Sequence, residues 1–134
     1  MKASYKKYTL NFKLPSGTSR GVLKTKETFF IIIENENQRG IGEGGLFRGL
    51  SIDDRPDYEA KLQWVCDHID LGIQELYNQL TAFPSIQMGL ETAFKSLSSK
   101  NLFKIYPSGF SNGNEKIPIN GLVWMGSEAF MKQQ

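Results

Sequence analysis

Residues able to act as nucleophile, base or metal ligand are scarce in this 134-residue chain, which holds one cysteine, Cys66, and one histidine, His68. With Asp67 they form a consecutive trio, but adjacent helical residues point about 100° apart and cannot converge on one atom. Cys66 falls on an apolar stripe while Asp67 and His68 fall off it. The trio therefore reads as a core thiol beside a surface imidazole. Asp53 and Asp54 stand beside Pro56, where negative charge favours a helix N-terminus, and read as terminal charges rather than a paired-carboxylate site.

Gly40-Ile41-Gly42-Glu43-Gly44-Gly45 spells the G-x-G-x-x-G of a dinucleotide site, with Asp67 near the distance of a ribose acid. That chemistry needs a helix opening directly on the glycines to hold a pyrophosphate. Here the next helix waits until about Pro56, so the glycines read as a strand against which other backbone packs closely. No Lys-Ser or Lys-Thr follows them, which excludes a P-loop. Trp124 and Met125 read as core side chains.

Two Gly- and Ser-rich stretches remain, residues 15–21 and 44–52. The first offers Ser16, Gly17, Thr18, Ser19 and Arg20; the second offers Leu46, Phe47 and Arg48. Loops with apolar tips and one cation each fit a cap over a carboxylated small molecule, and they fit plain solvated turns equally well.

The elements that would position these loops are legible from periodicity. Tyr8, Leu10, Phe12 and Leu14 share one parity between Ser4 and Leu14, predicting a half-buried strand. A second strand is expected from about Val22 to Glu34; its run Phe29-Phe30-Ile31-Ile32-Ile33 implies cover on both faces. Asn35 to Gln38 reads as a turn, and Arg39 to Gly45 as a third strand of an antiparallel meander. If the strands alternate in direction, both loops leave the same end of it.

Apolar residues then recur at helical spacing from Tyr58 to Leu80, interrupted at Gly72. Pro84 opens another helix with Ile86, Leu90, Phe94 and Leu97 buried, and with Gly89 and Ala93 allowing close approach. Strands first and helices afterwards make an α+β fold. After a polar loop from Tyr106 to Glu115, Ile117-Pro118-Ile119-Asn120-Gly121-Leu122-Val123-Trp124-Met125 reads as a buried parallel strand. Ser127 then caps an amphipathic helix begun at Glu128. This strand and helix are the first unit of a β/α array without a second strand, so the chain reads as cut.

Composition bounds the rest. Sixteen Lys+Arg against 14 Asp+Glu give a net charge of +2, too small to imply nucleic acid or an anionic membrane. The longest apolar run is five residues, against the ~20 that span a bilayer. Met1 to Lys7 is basic but lacks an apolar segment behind it, so no secretory signal is expected. A single cysteine fits a reducing, cytoplasmic setting.

Nearly the whole chain resembles the N-terminal capping domain of the enolase superfamily. The carriers are the meander, its Gly40-Ile41-Gly42-Glu43 strand and the helix Pro84-Ser85-Ile86-Gln87-Met88-Gly89-Leu90-Glu91-Thr92-Ala93. Tyr106-Pro107-Ser108-Gly109-Phe110 and the 117–126 segment resemble a branch that dehydrates its substrate. The resemblance implies a capping domain over 1–115, and over 116–134 the first strand and start of the first helix of a truncated (β/α) barrel.

It also implies that the cap closes two loops over a small carboxylated substrate, with Ser16, Gly17, Thr18, Ser19, Arg20, Leu46, Phe47 and Arg48 facing it. The Mg²⁺-binding acids and the proton-moving lysines would lie in the missing barrel domain. Lys24-Thr25-Lys26 spells Lys-x-Lys at the start of a cap strand, and no catalysis is assigned to it. The 134 residues alone are expected to be inactive, to hold no metal, and to self-associate through residues 117–125. Two other readings stay open: the cap of a dipeptide epimerase, N-acylamino-acid racemase or muconate cycloisomerase, and a free-standing, non-enzymatic module for a small anion.

Overall fold

The computed structural model describes residues 1–18 and 21–134. Strands β1 (Lys2–Thr18), β2 (Gly21–Glu34) and β3 (Arg39–Gly45) form one antiparallel sheet in that order. The α+β expectation holds, and β3 runs over the residues expected. The β2–β3 turn is fixed by Asn35, whose Oδ1 accepts from the amides of Asn37 and Gln38 at 3.1 and 2.8 Å. That turn pairs Glu34 with Arg39 and sets the register that ends at Thr28 opposite Gly45.

Helices α1 (Tyr58–Asp67), α2 (Ile73–Asn78) and α3 (Pro84–Ser98) form a layer on one face of the sheet. Gly72, at φ 80°, separates a short 3-10 turn from α2, the interruption its position predicted. The core joins Phe29, Ile31 and Ile33 of β2 to Leu62, Val65, Leu76, Ile86, Leu90 and Ala93. Phe30 and Ile32 are only half-buried, which corrects the expectation of cover on both faces: helices cover one side alone.

The parity of β1 is corrected for the same reason. Ala3 and Tyr5 pack against the core, whereas Tyr8, Leu10 and Leu14 of the opposite parity are exposed. They stand partly on a two-stranded arm that runs beyond β3.

Close packing on β3 explains its glycines. A Cβ at Gly40 would collide with the Ala93 carbonyl, and one at Gly42 with the Gly89 carbonyl. The alternate glycines thus let α3 lie directly on the strand. Asp53 is buried and caps not α1 but α3: its Oδ2 accepts from the Ser85 amide at 2.8 Å and the Ser85 hydroxyl at 2.6 Å. Asp54 serves neither helix. Both aspartates therefore stand corrected as charges at the start of the first helix.

Residues 117–125 form no strand. A strand needs neighbouring N–H and C=O groups, and among the described residues no strand lies alongside. The Trp124 backbone instead exchanges two hydrogen bonds with the Gln134 side-chain amide, at 2.7 and 2.9 Å. Helix α4 (Glu128–Lys132) follows, with the Ser127 hydroxyl accepting from the Phe130 amide as expected.

Candidate functional site

The first candidate loop is largely strand. β1 and β2 stay paired to Thr18 and Gly21, and Ser16 to Thr18 lie within β1. Between the pairs Asn11–Thr25 and Ser16–Leu23, five steps along β1 face two along β2, so three extra residues bulge out. Pro15 lies in that bulge, where its missing amide is tolerated. Its carbonyl accepts from Trp124 Nε1 at 2.9 Å, so the half-buried Trp124 is a strap on the arm rather than core. Met125, 57 % exposed, also lies outside the core, close against Gly17. Ser19 and Arg20 lie outside the described residues.

The second loop is closed on itself. Leu46 is fully buried and belongs to the core, so it is no apolar tip. The Phe47 amide donates to Ser51 Oγ at 2.9 Å, and the Gly49 amide, at φ 72°, donates to Asp54 Oδ2 at 2.6 Å. Arg48 bridges Glu27 Oε2 at 2.7 Å and Asp54 Oδ1 at 2.8 Å. Glu27 also takes Lys7 Nζ at 2.8 Å, and Lys7 reaches Glu59 at 3.0 Å.

These partners set the protonation behaviour. The Gly49 amide, then Arg48, hold the Asp54 carboxyl below its ordinary range. Lys7, assisted by Arg48, lowers Glu27 against the opposing effect of burial. Arg48 is held more firmly protonated, Asp54 being the main cause.

Both loops leave the same end of the sheet, but they are not side by side. β3 stops opposite Thr28, seven residues short of the arm's tip, or about 23 Å at strand spacing. Phe47 and Arg48 therefore meet the stem of the arm. A cleft of about 530 Å³ opens there, lined by Thr9, by residues 22–27 and by residues 46–48. Lys24, Lys26 and Glu27 line it: Lys24-Thr25-Lys26 carries no assigned role in the sequence reading, and Glu27 is absent from it. The register was available in the sequence, since a four-residue turn pairing Glu34 with Arg39 leaves residues 22–27 without a β3 neighbour.

The remaining candidates are brought into no shared geometry. Cys66 is buried, its thiol pushed up to about 11 by desolvation. His68 stacks on Trp64 at 4.6 Å between ring centroids, with Nδ1 2.8 Å from the Trp64 carbonyl. Among the described residues no three His, Cys, Asp or Glu side chains converge. Asp53 is engaged by Ser85, Glu27 by Lys7 and Arg48, and Glu43 by Thr28, so these acids do not fit an octahedral Mg²⁺ site. No helix among the described residues is long and apolar enough to cross a membrane.

The chain is thus a three-stranded antiparallel meander covered on one face by helices, with two loops leaving one end of it. No family model matches the chain. It is similar to the o-succinylbenzoate synthase of Desulfotalea psychrophila (strain LSv54 / DSM 12343), at 31 % identity over 165 aligned residues. That match takes in 100 % of this chain and 45 % of the synthase, so the chain spans less than half the relative's length.

Solved structures agree on the fold. The crystal structure of MenC from Desulfotalea psychrophila LSv54 matches 99 % of this chain and 44 % of its own, with TM-score 0.73 and 22 % identity. The o-succinylbenzoate synthase of Thermosynechococcus elongatus BP-1, complexed with Mg in its active site, matches 75 % of this chain and 31 % of its own. Its TM-score is 0.59 at 21 % identity. A mandelate racemase/muconate lactonizing protein from Herpetosiphon aurantiacus gives 0.56 over 71 % of this chain and 29 % of its own, at 16 % identity.

Proposed function

We propose that this chain is the substrate-capping domain of an o-succinylbenzoate synthase-like lyase. The reading is carried by similarity to such a synthase along the full length of the chain. Its role is to cover a carboxylated small molecule and exclude water while the chemistry is done elsewhere. The metal-assisted abstraction of a proton α to a carboxylate, and the loss of water that follows, belong on this reading to a (β/α) barrel. Residues 1–115 form the cap and 116–134 the approach to that barrel. The cap contributes Ser16, Gly17 and Thr18 of the arm and the turn carrying Phe47 and Arg48; Ser19 and Arg20, outside the described residues, are proposed to face the substrate with them. The setting proposed is cytoplasmic.

The test is a chimera in which this chain replaces the matched portion of the Desulfotalea psychrophila synthase. Dehydration of that synthase's substrate is expected, while the 134 residues alone give no turnover and no saturable Mg²⁺ binding. A folded chimera without turnover, or turnover by the chain alone, overturns the reading.

A further inference from the structure

We propose that Lys26 is the residue of this chain that receives a ligand carboxylate, in the cleft between the arm's stem and the turn at residues 46–48. The inference rests on the capping-domain reading and deepens it. The cleft, at about 530 Å³, falls in the ~300–1,000 Å³ range of small-molecule sites. It exists because β3 ends opposite Thr28 and the chain then anchors Leu46 in the core, leaving the edge of β2 at residues 22–27 open.

Charge within the cleft selects one cation. Arg48 is consumed by Glu27 and Asp54, both within 2.8 Å, and Glu27 is neutralised a second time by Lys7. Lys26 is held differently. Its side chain is 19 % exposed and its ammonium lies 5.1 Å from the Phe47 ring centroid, over the ring. Its one carboxylate partner, Glu43, is 3.5 Å away and 48 % exposed, and the same Glu43 oxygen already accepts the Thr28 hydroxyl at 2.6 Å. A pair at that distance, with its carboxylate half-exposed and shared with a hydroxyl, is weak.

An ammonium has three donors, so Lys26 keeps donors for a ligand while packing fixes its stem and lowers the ordering cost of binding. Gly45 leaves room beside it: a Cβ there would sit 3.3 Å from the ammonium, a tight contact. Lys24, two residues along the same strand, adds a second positive charge without an ion-pair partner among the described residues. Phe47, Val22 and Leu23 supply apolar lining. Two lysines beside apolar side chains suit an apolar-bodied carboxylate, and no helix N-terminus opens on the cleft to hold a polyphosphate.

The chain, with lysine Cε labelled by ¹³C, is titrated with sodium benzoate at fixed ionic strength, with chloride as the control salt. Saturable shifts centred on Lys26 are expected. Affinity should fall about tenfold in Lys26→Met, recover in Lys26→Arg and stay unchanged in Lys104→Met on the exposed loop after α3, a charge-assisted contact being at stake. Shifts that chloride reproduces, that fail to saturate, or that survive in Lys26→Met overturn the proposal. The chimera separates the two ideas. If it turns over and Lys26→Met leaves its KM unchanged, Lys26 falls and the capping role stands. If the folded chimera is inactive while benzoate still saturates at Lys26, the capping role falls alone.

Discussion

Arg48 and Lys26 carry the same charge and line the same cleft, and their surroundings give them opposite uses. Arg48 lies between two carboxylates and ties the 46–54 loop to the stem of the arm. Glu27 is the centre of that tie, and its proton affinity is lowered first by Lys7 and then by Arg48, against burial. A carboxyl depressed below its ordinary value of about 4.5 stabilises the fold fully above that value. Its contribution is lost as pH falls through the folded value.

Glu27→Gln should therefore lower stability by about 1 kcal/mol at pH 7, the upper range for a surface network. The gap from the native chain should narrow steadily as pH falls below the ordinary carboxylate value of about 4.5, read by urea unfolding across that range; a gap that does not narrow in acid would refute the ion-pair origin. Arg48 was legible in the sequence as a charge in a loop. Its partners were not, because Glu27 lies 21 residues away and is brought alongside only by strand register. The modest roles of Cys66 and His68 were legible, since helical phase alone decides them.

Elements were read well where a local signal matched the partner they found. β3 and α3 begin where their turn and proline place them, and the glycines that suggested a nucleotide site are the contact between these two elements. Gly42→Ala puts a methyl group onto the Gly89 carbonyl, and helix and strand must separate to accept it. The expected loss is about 3 kcal/mol in urea unfolding, the upper end for overpacking. Gly121→Ala, which meets nothing within 4 Å, should stay within about 0.5 kcal/mol of the native chain. Equal effects would remove the packing explanation.

Two elements were misread because their signals were local and the outcome was not. Pro15, Ser16 and Gly17 are turn-formers, yet the arm absorbs them as a bulge and keeps its pairing. Residues 117–125 have the composition of a buried strand, but a ladder requires a second strand that composition does not supply.

For the whole molecule, apolar surface is the open question of assembly. Ile119 is 87 % exposed, and Leu122, Val123 and Met125 are exposed with it, while Tyr8, Leu10 and Leu14 lie bare on the arm. Exposed apolar side chains in such number favour association. We expect the isolated chain to self-associate through 117–125, with sedimentation giving a weight-average mass that rises with concentration. Ile119→Asp should restore the monomer. A monomer at every concentration in the native chain would contradict this.

The arm has a mechanical meaning of its own. β1 and β2 continue past the last pairing to β3, for seven residues of β2, as a two-stranded ribbon strapped at Pro15 by Trp124, and such ribbons twist more than wider sheets. Thr28 is then the fulcrum of a lever about 23 Å long, and a rotation of only about 10° there sweeps the tip through roughly 4 Å. Changes too small to disturb the core are thus magnified where Ser16 and Gly17 sit, so a rigid body can deliver a large stroke without unpacking.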